Sequence, residues 1–264
     1  MVCVGEICDY LNELAPRDLS EEWDNVGLLV GRTSCAVQRI MTCLTLTPDV
    51  ADEAIEAKVQ LVVTHHPVMF RRIQKISDET VEGKMLLRLI EAGIAVYSPH
   101  TGFDSARTGI NQQLAESLGL TGIQPLRVNP VDSLVGAGRC GTLSESISLK
   151  ELLELVRSRT GASYLEFVGS SRGQCRRIAV GCGSAAEFLR DAIALGCDTF
   201  ITGEARFHSA LEARSAGVTL ILTGHYASER PAMEWLATEL QRRFPPIESI
   251  ASQIESDPLQ LHTA

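Results

Sequence analysis

Two adjacent histidines, His65 and His66, close the apolar run "LVVTHHP" (61–67) in a chain that has only six histidines. In a regular strand, neighbouring side chains point to opposite faces. Pro67 holds His66 to an extended backbone. Both rings can serve one site only where the strand ends and the chain turns, and Pro67 marks that point. A second apolar run leads into "YSPHTGFD" (97–104), whose polar end carries His100 and Asp104. A third leads into "LILTGHYASE" (220–229), which carries His225 and Glu229. Imidazole with carboxylate is a borderline-hard donor set that suits zinc, iron or manganese. A catalytic zinc takes three protein ligands and a water. His65, His66, Asp104, His225 and Glu229 exceed that number. Two ions about 3.5–4 Å apart, bridged by a carboxylate, would use them all.

Something must bring these strand ends together. In open α/β sheets, ligands bind at the carboxyl ends of strands. The segment 39–46 reads as a strand, 48–57 as a helix, 61–64 as a strand, 83–93 as a helix closing on Gly93, and 94–98 as a strand. This alternation predicts an α/β fold with a mostly parallel sheet. The second half repeats it. Arg39-Ile40 matches Arg177-Ile178, Ala54-Ile55 matches Ala192-Ile193, and Thr64 matches Thr202, with one unbroken offset. His100 and Asp104 match His225 and Glu229 at a shorter offset, because the first half carries extra residues after its histidine pair. Fixed-order self-similarity predicts two related α/β lobes. We place them at 1–125 and 126–264, with interweaving allowed and no inserted domain. Between them, "GAGRCGTL" (136–143) reads as a strand edge or tight turn. Residues 149–161 read as a helix ended by Gly161, and 163–169 as a strand. The tail after Pro246 is weakly patterned.

Composition narrows the classes. Acidic residues exceed basic ones by 33 to 24, a formal charge of −9. No basic block offsets this, so general nucleic-acid or anionic-membrane binding is not expected. No apolar run approaches the roughly 20 residues needed to span a bilayer. The amphipathic N-terminal segment does not read as a signal peptide. Eight scattered cysteines make no C-x-x-C pair. They are expected to be small core residues of a cytoplasmic protein.

The stretches "EEWDNVGLLVG" (21–31), "THHP" (64–67), "HTGFD" (100–104), "TGE" (202–204) and "GHYASE" (224–229) together resemble the GTP cyclohydrolase 1 type 2 homolog family. The resemblance implies a two-lobed α/β protein with a dinuclear metal centre between the lobes, and a ring-shaped homohexamer. Carried over by motif, the ligands are His65, His66, Asp104, His225 and Glu229, holding two divalent ions of iron, zinc or manganese. His100 lies beside the site in the family pattern.

Further residues are candidates for supporting roles. Glu204 and His208 follow the second-lobe strand that matches the histidine pair, and they could hydrogen-bond the ligands. With His100, they are the candidate general acids or bases. Trp23, Asp24, Asn25 and Gly27 read as a structural turn with a capping carboxylate or amide and a packed indole. Arg71, Arg72 and Lys75 read as a solvated basic face that could also meet a phosphate. The activity implied is metal-dependent hydrolysis of a nucleotide or related small molecule, although neither a P-loop nor a dinucleotide-binding glycine fingerprint is present. The alternative is a non-catalytic metal-binding scaffold, a metal-trafficking protein or a regulatory protein.

Overall fold

The structure, a computed structural model, describes residues 1–71, 73–170 and 173–262. Unit 1 comprises Met1–Phe103 and Met233–Ser256, and unit 2 comprises Asp104–Ala232 with the residues from Asp257 onward. The expected boundary after residue 125 falls inside unit 2. Unit 1 is discontinuous because the far end of the chain supplies its last strand.

Unit 1 begins with α1 (Val4–Leu14), β1 (Gly27–Val30), β2 (Arg39–Cys43), α2 (Pro48–Glu56), β3 (Leu61–Thr64), α3 (Val81–Glu91), β4 (Ala95–Ser98) and the first residues of α4 (His100–Ser105), which passes into unit 2 at Asp104. Unit 2 continues with α5 (Ile110–Ser117), β5 (Thr121–Gln124), β6 (Arg127–Val128), β7 (Gly136–Ala137), β8 (Arg139–Ser148), α6 (Leu149–Thr160), β9 (Glu166–Val168), β10 (Gln174–Gly181), α7 (Leu189–Ala194), β11 (Thr199–Thr202), α8 (Phe207–Ala216), β12 (Thr219–Leu222) and α9 (His225–Glu229). Helix α10 (Pro231–Arg243) and strand β13 (Glu248–Ala251) return the chain to unit 1. The tail that looked unpatterned thus forms an edge strand, too short to show a period of its own.

Both sheets have parallel pairing at their heart. The first runs β1-β4-β3-β2-β13, with only β1 antiparallel to its neighbour. The second runs β5-β8-β10-β11-β12-β9, with a parallel centre of β10, β11 and β12 flanked by antiparallel strands. Strand β8, read from sequence as part of a joining region, lies inside this sheet.

The internal repeat extends to hydrogen-bond register. Ile40 pairs with Leu61 and Cys43 with Thr64 in unit 1; Ile178 pairs with Thr199 and Gly181 with Thr202 in unit 2. These are the same four positions at the sequence offset found between the halves. The central strands β3 and β11 are buried throughout, as strands covered on both faces must be. Helix α2 shows how the layer above forms. Thr47 caps its N-terminus by accepting from the Val50 N–H, Pro48 takes the first turn, and Val50, Ala51 and Ala54 turn inward. They pack with Met41, Val62, Leu89 and Val96 into the first core. Phe200, Ala192, Leu220 and Ala179 serve the second.

Among the described residues no disulfide joins the cysteines, and six of the eight are buried, as expected of small core residues. Among the described residues no helix is long and apolar enough to cross a membrane.

Candidate metal centre

In unit 1, the β2–β3 ladder runs one step past the end of β3. The His65 N–H donates to Cys43 O at 3.0 Å and the His66 N–H to Leu44 O at 2.9 Å. The Thr64 hydroxyl donates to Leu44 O and His66 O, and the Ser98 hydroxyl holds His65 O at 2.7 Å. The chain therefore turns within a fixed frame. The two imidazoles meet with centroids 5.2 Å apart instead of facing opposite sides of the sheet. His65 is buried and His66 half-buried. The Thr45 hydroxyl hydrogen-bonds His66 Nδ1 at 2.7 Å. Thr45 is itself held by Glu255, which accepts from the Leu44 and Thr45 N–H groups.

His100 completes a cluster of three. One nitrogen from each of His65, His66 and His100 lies within 4.8 Å of the others. His100 Nδ1 contacts Asp24 Oδ1 at 2.8 Å, and the Asp24 side chain is wholly buried. Burial alone would raise the Asp24 carboxyl, but hydrogen bonds from His100 and Thr101 outweigh it and hold its pKa down at about 2. The carboxylate is ionised and can only accept, so Nδ1 carries a proton. The 21–27 motif is thus more than a turn. Asp24 orients a site histidine, and the expected packed indole is instead 61% exposed.

His100 has a left-handed backbone, φ +28°. By strand register its counterpart is Gly224, φ +86°, one residue before the His225 that the sequence repeat sets against it, since Leu61 pairs with Ala95 where Thr199 pairs with Thr219. Unit 2 places glycine in this conformation, whereas unit 1 forces a histidine into it. Such strain persists where the surroundings over-determine it. His100→Gly should therefore be more stable than His100→Ala by about 1 kcal/mol, since both lose the Asp24 contact and only glycine relieves the backbone. Urea unfolding of the two variants measures the difference, and equal stability would remove the strain.

In unit 2, Asp104, His225 and Glu229 lie on the short helices α4 and α9 that follow their strands. His225 Nε2 lies 3.1 Å from Glu229 Oε2. On its other side Nδ1 meets Glu204. Hydrogen bonding to Glu229, then to Glu204, raises the His225 pKa to about 9 against the opposing effect of burial. An imidazolium held between two carboxylates is a place where a divalent cation can replace a proton. Burial pushes the neighbouring Cys182 thiol far up, and Glu229 and Asp104 add to it. That thiol stays protonated beside two carboxylates.

The main chain closes tightly around this pair. Gly183 has φ +64°, and a Cβ there would fall inside van der Waals contact of Glu229 Oε1 and 3.3 Å from His225 Nε2. The Gly183 N–H donates to Ser228 Oγ at 2.9 Å. Asn111 is buried. Its amide donates to Asp104 O at 3.0 Å and accepts from the Cys182 N–H at 2.8 Å, tying α4 to the end of β10. The fully buried Arg139 donates to the carbonyls of Gly136, Gly138, Ser105 and Ala106 and to Gln112 Oε1. It thereby fixes the turn just after Asp104.

Unit 1 thus offers three imidazoles at strand ends and unit 2 an imidazole with carboxylates closed in by backbone, and imidazole with carboxylate fits a borderline-hard divalent ion. Glu204 reaches the candidate ligand His225, as expected. His208 lies exposed on α8 with its ring against Phe207, and among the described residues no contact links it to His225. Arg71 is exposed, Lys75 is paired with Glu79 at 2.8 Å, and Arg72 lies outside the described residues. The repeat could have found one of the residues missed in sequence, because Gly183 stands at the offset of Thr45.

The profile described as Duf34/NIF3 (NGG1p interacting factor 3) matches residues 2–258. A Clostridium perfringens protein named GTP cyclohydrolase 1 type 2 homolog is 33% identical, covering 97% of this chain and 98% of its own. A Helicobacter pylori protein named GTP cyclohydrolase 1 type 2 is 36% identical over 87% of this chain and 88% of its own. Among solved structures, the Staphylococcus aureus hypothetical protein SA1388 superposes with a TM-score of 0.91 at 27% identity, covering 99% of each chain. Reduced HcgD from Methanocaldococcus jannaschii gives 0.82 at 26% identity, over 96% of this chain and 98% of that one. With the paired histidines, the His–carboxylate strand ends and a profile match along almost its whole length, the chain belongs to the Duf34/NIF3 family.

Proposed function

We propose that this cytoplasmic protein binds two divalent transition-metal ions through His65, His66, Asp104, His225 and Glu229, and with them hydrolyses a nucleotide or a related small molecule. The observation that carries the reading is His225 held between Glu229 and Glu204, in a repeat whose other copy sets His65, His66 and His100 within 4.8 Å of one another. The names of the Clostridium and Helicobacter relatives support a nucleotide substrate. Bound ions would supply Lewis acidity and a water of lowered pKa.

The chain's own groups have separable tasks. Asp24 keeps the His100 proton on Nδ1, which leaves Nε2 as the atom that exchanges a proton with substrate. Glu204 orients His225, as carboxylates behind ligating histidines do. Asn111 and Arg139 fix the main chain on either side of Asp104's turn. A closed homohexamer belongs to the same reading, in line with the resemblance; light scattering that gives a monomer at micromolar concentration would remove it.

The test is elemental analysis of gently purified protein, with about two ions per chain expected. Asp104→Ala and Glu229→Ala should each lower the metal content while circular dichroism stays that of a folded chain. A protein that takes up no iron, zinc or manganese would end the metal reading. Loaded protein should then turn over a nucleotide, phosphoester or amide, and His65→Ala should not. Full metal content with no turnover across these classes would leave the scaffold or trafficking role.

A further inference from the structure

We propose that Trp23 and Phe70 form a stacking surface that seats a purine-class ring beside His100; the proposal rests on the nucleotide reading above. Trp23 is 61% and Phe70 60% exposed. Large aromatic side chains normally contribute most when buried. Single exposed apolar residues are ordinary, but two adjacent ones at a candidate site mark a binding surface. Their centroids lie 5.7 Å apart with planes tilted 58°. Both meet His100 edge-on, at 6.0 Å for Trp23 and 6.3 Å for Phe70.

The pair is held in place from below. Asn25 Nδ2 donates to Met69 O at 2.8 Å and ties the loop of Trp23 to the loop of Phe70. The buried Asp24 carboxylate anchors the first loop to His100 and Thr101. The rings are therefore presented by fixed backbone at the mouth of the histidine cluster. Their exposed neighbours Glu21, Glu22 and Arg71 are charged. That setting fits a small flat ligand with a polar edge better than the wide apolar patch of a protein hot spot. Stacking on aromatic side chains tolerates different bases and needs no hydrogen-bond code, which accounts for a site with no nucleotide-binding fingerprint in the sequence.

The experiment titrates the full chain, after chelator treatment and again after metal loading, with guanosine, with ribose 5-phosphate, and with each after Trp23→Ala, Trp23→Phe or Phe70→Ala. Intrinsic fluorescence is a direct readout, because the only other tryptophan, Trp235, is stacked on Phe103. Calorimetry gives Kd for the variants that lack Trp23. Guanosine should quench the wild type in both forms and ribose 5-phosphate should not. Trp23→Ala and Phe70→Ala should weaken guanosine binding roughly ten- to hundredfold, and Trp23→Phe should keep most of it. Unchanged guanosine affinity in both alanine variants overturns the proposal. So does binding that follows ribose 5-phosphate alone, or a change of oligomeric state in Trp23→Ala with ligand affinity intact, which would make this a protein-contact surface. Ions held without guanosine binding would sink this inference and spare the metal reading; guanosine binding by a chain that takes up no ions would do the reverse.

Discussion

On the metal reading proposed above, Gly183→Ala should strip metal from the His225–Glu229 pair while leaving the chain folded. Two effects act at once. An alanine at φ +64° takes on a left-handed backbone that costs about 1–2 kcal/mol. Its Cβ also intrudes on Glu229 Oε1. Glu229 is 4% exposed, so its carboxylate has no open space to move into and must leave His225. Loss of a group that orients a ligand typically lowers metal affinity 10–100-fold, and here the proposed ligand Glu229 itself is displaced, so a loss of at least about 100-fold is expected. Gly196→Ala separates the two effects. It has φ +70° with nothing within 4 Å of an added Cβ, so it bears the backbone cost alone. Zinc titration of both variants should show normal affinity for Gly196→Ala and a large loss for Gly183→Ala. Equal metal binding by the two would place Glu229 outside the site.

Arg139→Met should destabilise the protein by about 3 kcal/mol or more. Burial lowers the Arg139 pKa to about 10, so it remains charged at neutral pH. Its guanidinium is balanced by carbonyl oxygens, at 2.6 Å to Gly136 and 2.7 Å to Gly138, with Ala106 also close. Methionine is similar in length but donates nothing. Each buried carbonyl left without a donor costs about 1–3 kcal/mol. At about 2–4 °C per kcal/mol for a protein of this size, the midpoint should fall by roughly 6–12 °C. Lysine should restore only part of this, because an ammonium cannot reproduce the planar fork. A midpoint shift below about 2 °C would show that these carbonyls find other donors.

The residues missed in sequence have one property in common. His65, His66, His225 and the central strands were legible because each histidine follows an apolar run, and a run is a local signal. The repeat was legible because β3 and β11 keep one register. Asp24 meets His100 across 76 positions and Asn111 meets Cys182 across 71. No periodicity reports such a pairing, so Asp24 read as a turn residue and Asn111 went unremarked. Arg139 sits in a glycine-rich stretch whose composition suggests an edge, yet β8 pairs on both sides, with β5 and β10. The type of Trp23 was plain, but its exposure depends on which chain segments leave it uncovered.

Strand β13 carries a consequence for how the protein is made. It pairs with β2, and Glu255 just beyond it binds the Leu44 and Thr45 N–H groups beneath His66. A ribosome releases β2 and the histidine pair about 200 residues before residues 248–255. Residues 104–232 form an unbroken stretch and can collapse as soon as they clear the exit tunnel, as domains generally do during synthesis. The first half must wait with an open sheet edge, of the kind that invites pairing with other chains. Translation therefore finishes the glutamate-bearing lobe first, and the nascent chain acquires its histidine lobe only when residues 248–255 emerge.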